Sequence, residues 1–137
     1  MNRFHLSVSA TVTALVLAAC SSGPPYAGLS IDNEAFDGSS ILVTDQDLAD
    51  VLRFGRPKVE RVPATNQLKV VVPILNIDDE VLQILIDVVF QDAQRLPIGD
   101  ATARTPRTLS PGQTIYFEAL STKGEAADWQ LTVGWNR

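Results

Sequence analysis

Cysteine and histidine occur once each in this 137-residue chain, as Cys20 and His5. A single cysteine excludes an intrachain disulfide. His5 lies in an N-terminal stretch that reads as a targeting segment, so the rest of the chain has no histidine. The commonest zinc and copper ligands are therefore missing, as is the usual general base of Ser-His and Cys-His catalysis. No metal, no cofactor and no enzymatic activity are expected. Lys and Arg form no run, and the formal net charge is -5. Neutralising phosphates needs a basic stripe, so nucleic acid is not an expected partner. The longest apolar stretch near the N-terminus, about Val8 to Ala19, is interrupted by Ser9, Thr11 and Thr13. A membrane-spanning helix needs roughly 20 mostly apolar residues, so this stretch is too short to cross comfortably.

What is there explains that stretch. The free amino terminus and Arg3 precede it, as in the n-region and h-region of a secretory signal peptide. It ends in Leu17-Ala18-Ala19-Cys20, which resembles the lipobox of bacterial lipoproteins: a branched residue, two small residues, then cysteine. The resemblance implies cleavage before Cys20, attachment of diacylglycerol to its sulfur, and acylation (palmitate in type) of the new terminus. Small residues admit a peptidase to the backbone, and the thiolate is the nucleophile that accepts lipid. Two or three acyl chains anchor stably where one holds marginally. Ser21 follows, where aspartate would favour the inner membrane in enterobacteria-like sorting, so the resemblance implies an outer-membrane anchor facing the periplasm.

The expected organisation is a cleaved signal peptide over 1–19, a lipidated N-terminus and flexible tether over 20–38, and one domain over 39–137. The tether reading rests on Pro24-Pro25 and three glycines in SSGPPYAGLSIDNEAFDG. Removing 1–19 takes away Arg3 and moves the net charge from -5 to -6.

Within the domain, Ser39–Thr44 is a strand candidate. TDQDLADVLRFG reads as a short helix capped at Thr44 or Asp45 and ended by Gly55, with an irregular strand as the competing reading. The remainder reads as sheet. Leu68, Val70, Val72 and Ile74 fall on one face at period two, then Leu82, Ile84, Ile86, Val88 and Phe90. Ile115, Phe117 and Ala119 follow the strong Pro111-Gly112 turn, and Trp129, Leu131, Val133 and Trp135 close the chain. Six or seven short strands separated by close turns predict an all-β, antiparallel, immunoglobulin-like sandwich with one short helix near its N-terminal side.

These segments are similar to the YcfL family of bacterial lipoproteins. QLKVVVPILN, DDEVLQILIDVVFQDAQRLPI, LSPGQTIYFEAL and EAADWQLTVGW carry the resemblance, with Asp92-Ala93 and Pro111-Gly112 at its turns. It covers roughly 40–137 together with the lipoprotein N-terminus. Two positions depart from the family: Val89-Phe90-Gln91 where many members carry more aromatics, and Arg107-Thr108 where a tryptophan precedes the Pro-Gly turn. The resemblance implies a small β-sandwich lipoprotein of the cell envelope, of unknown function and without established enzymatic activity.

The candidate sites are few. Asp78-Asp79-Glu80 lacks the spaced pattern and glycine of a calcium loop and reads as a solvated turn. Asp87 shares the outward phase of Gln83 and Gln91. Trp129 and Trp135 fall in the inward phase and read as core. Arg104 and Arg107 are candidate contacts for an anionic glycan or carboxylate. Val81, Leu85 and Val89 alternate with Gln83 and Asp87 on the outward phase of the long strand, a candidate partner surface unless the helix or N-terminal segment covers it. Pro73 suggests an edge or bulge, and a free edge there would allow strand addition. The expectation is a membrane-anchored, non-catalytic interaction or scaffolding module with a cell-envelope protein as partner. The alternative is a small-ligand or glycan-binding lipoprotein.

Overall fold

The computed structural model describes residues 25–36 and 40–137. In chain order the described elements are β1 (Tyr26–Ala27), β2 (Ile41–Val43), α1 (Gln46–Val51), β3 (Leu52–Phe54), β4 (Lys58–Arg61) and β5 (Leu68–Asn76). They continue as β6 (Leu82–Gln91), β7 (Pro97–Ala101), β8 (Thr105–Leu109), β9 (Thr114–Leu120) and β10 (Asp128–Trp135). One sheet runs β1-β2-β10-β6, with β7 and β8 placed end to end along the far side of β6. The other is centred on β5, with β9 on one side and β3 and β4 end to end on the other. The two sheets enclose one core, an all-β sandwich as the strand pattern predicts.

Alternation builds that core. Along β5 and β6 every second residue is buried, and Ile84, Ile86, Val88 and Phe90 are wholly withdrawn from water. Each such side chain stabilises the fold by about 1.5–3 kcal/mol. One pairing is not antiparallel: β2 runs parallel to β10, with Ile41 beside Leu131 and Val43 beside Val133. The chain leaves β2 through α1 for the other sheet, so no tight turn links the parallel pair and its direction is unconstrained.

Three expectations change. The helix ends at Val51, not near Gly55, because Leu52, Arg53 and Phe54 pair with Asn76, Leu75 and Ile74. Leu48 and Ala49 carry its burial, and the Asp45 carboxylate accepts from the Thr44 hydroxyl rather than from the helix N-terminus. Pro73 lies in the central strand, not on an edge. Its missing N–H faces the gap between β3 and β4, where Gly55 N–H donates to the Pro73 carbonyl and nothing is needed in return. A side chain on Gly55 would meet the Pro73 ring at 2.8 Å, so glycine and proline fit each other at this break.

The third change is at the N-terminus. Residues 25–36 belong to the folded body, not to a tether. Tyr26 pairs with Val43, and Gly28 N–H donates to Ile41. The chain turns through Ile31-Asp32-Asn33 and returns so that Phe36 N–H reaches the Gly28 carbonyl. Phe54 N–H donates to the Leu29 carbonyl, so this hairpin bridges β2 of one sheet to β3 of the other. Tyr26 and Phe36 pack on the core, and Phe36 meets Phe54 edge to face at 6.4 Å.

Buried polar groups pin the loops at both ends. Asn76 donates to the carbonyls of Glu80 and Leu109 and accepts from Asp78 N–H, joining the β5–β6 and β8–β9 turns. Asp100 accepts from Thr122 N–H, the Thr122 hydroxyl and Lys123 N–H. Ser121 accepts from Leu68 N–H and donates to the Lys123 carbonyl. No helix among the described residues is long and apolar enough to cross a membrane.

Candidate functional site

Leu17, Ala18, Ala19 and Cys20 lie outside the described residues. The first described residue, Pro25, lies five positions beyond Cys20. Five residues of chain span at most about 18 Å. Any group attached at Cys20 therefore holds the sandwich close, on the flank where β1, β2 and α1 meet.

Arg104 and Arg107 do not converge. They sit in the irregular stretch and strand that follow β7, but they address opposite faces of the sheet. Arg107 pairs with Ile84 in the inward phase, and its guanidinium lies 5.8 Å from the ring centre of buried Phe117. It closes the flank between β8 and β9. Arg104 reaches over the outer face, where its Nη2 would stand 3.9 Å from a Cβ placed on Gly134. Asp87 shares that outer face, beside Thr132. Burial pushes the Asp87 carboxyl above the usual aspartate range, and the Arg104 charge acts against that shift. The side chain of Thr44 occupies the space above Gly134, where a Cβ would come within 2.8 Å of the hydroxyl.

The expected partner surface is interrupted. Val81 is exposed in the turn before β6, while Leu85 and Val89 are half-buried on its outer face. Leu85 lies between Pro106 and Gly134, and Val89 between Ala101 and Gln130. Asp87 separates the two. The helix packs on β1, β2 and β3, at the opposite side of the sandwich, so it does not cover this face. Asp78, Asp79 and Glu80 form the β5–β6 turn, held by backbone bonds to Asn76 and to the Asp78 carboxylate. Among the described residues no cluster of His, Cys, Asp and Glu is placed to hold a metal ion. Trp129 is core; Trp135 is half-buried, donates to Asp47 at 3.3 Å and carries Arg137 over its ring.

A cleft of about 270 Å³ lies where the N-terminal hairpin abuts the β3–β4 break. Ser30, Ile31, Asp32, Phe36, Phe54, Gly55 and Arg56 line it. Its floor is aromatic and its rim carries one acid and one base. Sequence reasoning missed this cleft because it treated 25–36 as tether. The signal was there: Tyr26, Leu29, Ile31 and Phe36 are too many large apolar residues for a solvated linker.

No protein-family model matches the chain, and no curated protein matches it. Solved structures do. The crystal structure of Campylobacter jejuni cj0090 superposes with a TM-score of 0.60 at 11% identity, covering 72% of this chain and all of that one. A DUF1425 family member from Shewanella sp. PV-4 superposes with a TM-score of 0.53 at 14% identity, covering 60% of this chain and 75% of that one. The fold is one that bacterial proteins share. At these identities the likeness concerns the backbone arrangement alone.

Proposed function

We propose that this chain is a lipoprotein of the bacterial outer membrane, anchored through Cys20, facing the periplasm and acting by contact rather than by chemistry. In this reading it is a YcfL-like domain whose partner is a cell-envelope protein. The observation that carries the reading is the sequence Leu17-Ala18-Ala19-Cys20 set five residues ahead of Pro25, the first described residue of the sandwich. The backbone likeness to the DUF1425 protein supports it. So does the use of Asn76, Asp100 and Ser121, whose buried polar atoms are bonded to loops and not turned toward a cavity.

Labelled palmitate tests the anchor. The wild-type chain takes up label and fractionates with the outer membrane, while Cys20→Ser takes up none and leaves the membrane. Label retained by Cys20→Ser contradicts the proposal. A second reading, small-ligand binding, is favoured by the cleft at Phe36 and Phe54. Filling it with Ser30→Trp abolishes ligand capture in that reading and leaves partner contact intact in the first.

A further inference from the structure

Among the described residues the sandwich has four sheet edges, and three of them are blunted. β1 is two residues long. The β3–β4 edge is broken at Gly55-Arg56-Pro57 and then carries Lys58, Glu60 and Arg61, all exposed. The β7–β8 edge is broken at Thr102-Ala103-Arg104, shifts register at Phe90/Gln91, and contains Pro97 and Pro106. Breaks, charges, prolines and short strands are the devices that keep sheet edges from pairing.

The fourth edge, β9, has no break, no proline and a single charge. Thr114–Leu120 is seven residues long, with no proline, glycine or lysine, and its register with β5 is unbroken. Ser121 N–H donates to Leu68, which fixes the alternation: residues 115, 117 and 119 bond toward β5. The N–H and C=O groups of Tyr116, Glu118 and Leu120 therefore point away, and among the described residues no strand pairs with them. Tyr116 is 72% exposed and Leu120 43% exposed. Glu118, the single charge, is matched by Lys69 at 3.8 Å.

We propose that β9 is an interface between two copies of this chain, paired antiparallel about a two-fold axis at Phe117. The sequence TIYFEAL is self-complementary in that register. Tyr116 stands opposite Glu118 of the second copy, and Thr114 opposite Leu120, each such pair exchanging two backbone hydrogen bonds. Centring on Glu118 instead sets carboxylate against carboxylate, and centring on Tyr116 leaves fewer residues paired. The interface is isologous and closed, joining the two three-stranded widths of the β5 sheet into one. The axis is normal to that sheet. If both copies are anchored as proposed above, the pair lies with its sheets along the bilayer; the pairing itself needs no anchor.

The test is site-specific photo-cross-linking of the full-length chain in intact cells, with benzoylphenylalanine at position 120. The expected product has twice the mass of the chain, and its cross-linked peptide comes from β9 of the second copy. The same reagent at position 58, on a blunted edge, gives no such product. Glu118→Pro removes an outward N–H without touching the β5 ladder, and Tyr116→Lys adds charge to the edge without constraining the backbone. Both lower the yield roughly tenfold or more. A cross-link to any other polypeptide or strand, a monomer only, or an undiminished yield in both variants overturns the proposal. Cys20→Ser keeps the cross-link whatever the outcome of palmitate labelling, so failure of one claim is separable from failure of the other.

Discussion

Along one flank of the sandwich, between β2 and β3, a hairpin of residues 25–36 lies across both sheets, hydrogen-bonded to Ile41 on one side and to Phe54 on the other. Along the opposite flank, between β8 and β9, Arg107 over the Phe117 ring closes the gap, and the edge of β9 stays open. The first flank is sealed by backbone and aromatic side chains, the second by one exposed, charged side chain. The difference teaches where this fold resists other chains and where it admits them.

Substitutions sharpen that contrast. On the sealed flank, a Cβ on Gly28 would come within 2.6 Å of Ile41 Cγ2 and 3.0 Å of Phe54 Cδ2. Gly28→Val therefore forces the hairpin off the core, at a cost of about 1–3 kcal/mol in denaturant unfolding. On the open flank, Arg107→Ala removes one cation–aromatic contact and costs only about 0.5–1 kcal/mol. Equal losses at the two positions contradict the contrast.

The smallest effect belongs to the outer face. Because burial raises the Asp87 carboxyl, the native state holds its proton more tightly than the unfolded chain does. The charged form thus weighs against folding at neutral pH, and that penalty disappears as pH falls below the unfolded value of about 3.9. Asp87→Asn raises the melting temperature at pH 7 and leaves it unchanged below that value. A gain of the same size at both pH values rules out Asp87 titration as its cause.

Much of the sandwich was legible in the sequence. Strands β5, β6, β9 and β10 announce themselves by period two, and their inward residues are the ones the structure buries, apart from Ile115 and Trp135 at strand ends, which stay half-buried. Local pattern was weaker where pairing decides the outcome. Leu52 and Phe54 fit a helix by composition, yet β5 offered them a partner and they became strand. Pro97 and Pro106 hid β7 and β8, which tolerate proline because each lies on an edge. The two arginines separated because neighbouring stretches of one edge, Arg104 in an irregular bend and Arg107 in a strand, turn their side chains to opposite faces. The β9 alternation was visible, but its freedom from a second neighbour was not: an open edge is a property of the assembled sheets.

Hydrogen exchange along β9 tests the central claim most directly, because neighbouring amides there face different partners. Amides 115, 117 and 119 are bonded toward β5 and stay protected at every protein concentration. Those of Tyr116, Glu118 and Leu120 exchange freely in dilute protein and gain protection together as concentration rises. Fast exchange of these three at all concentrations, with their neighbours protected, contradicts the pairing and leaves β9 an edge without a second copy.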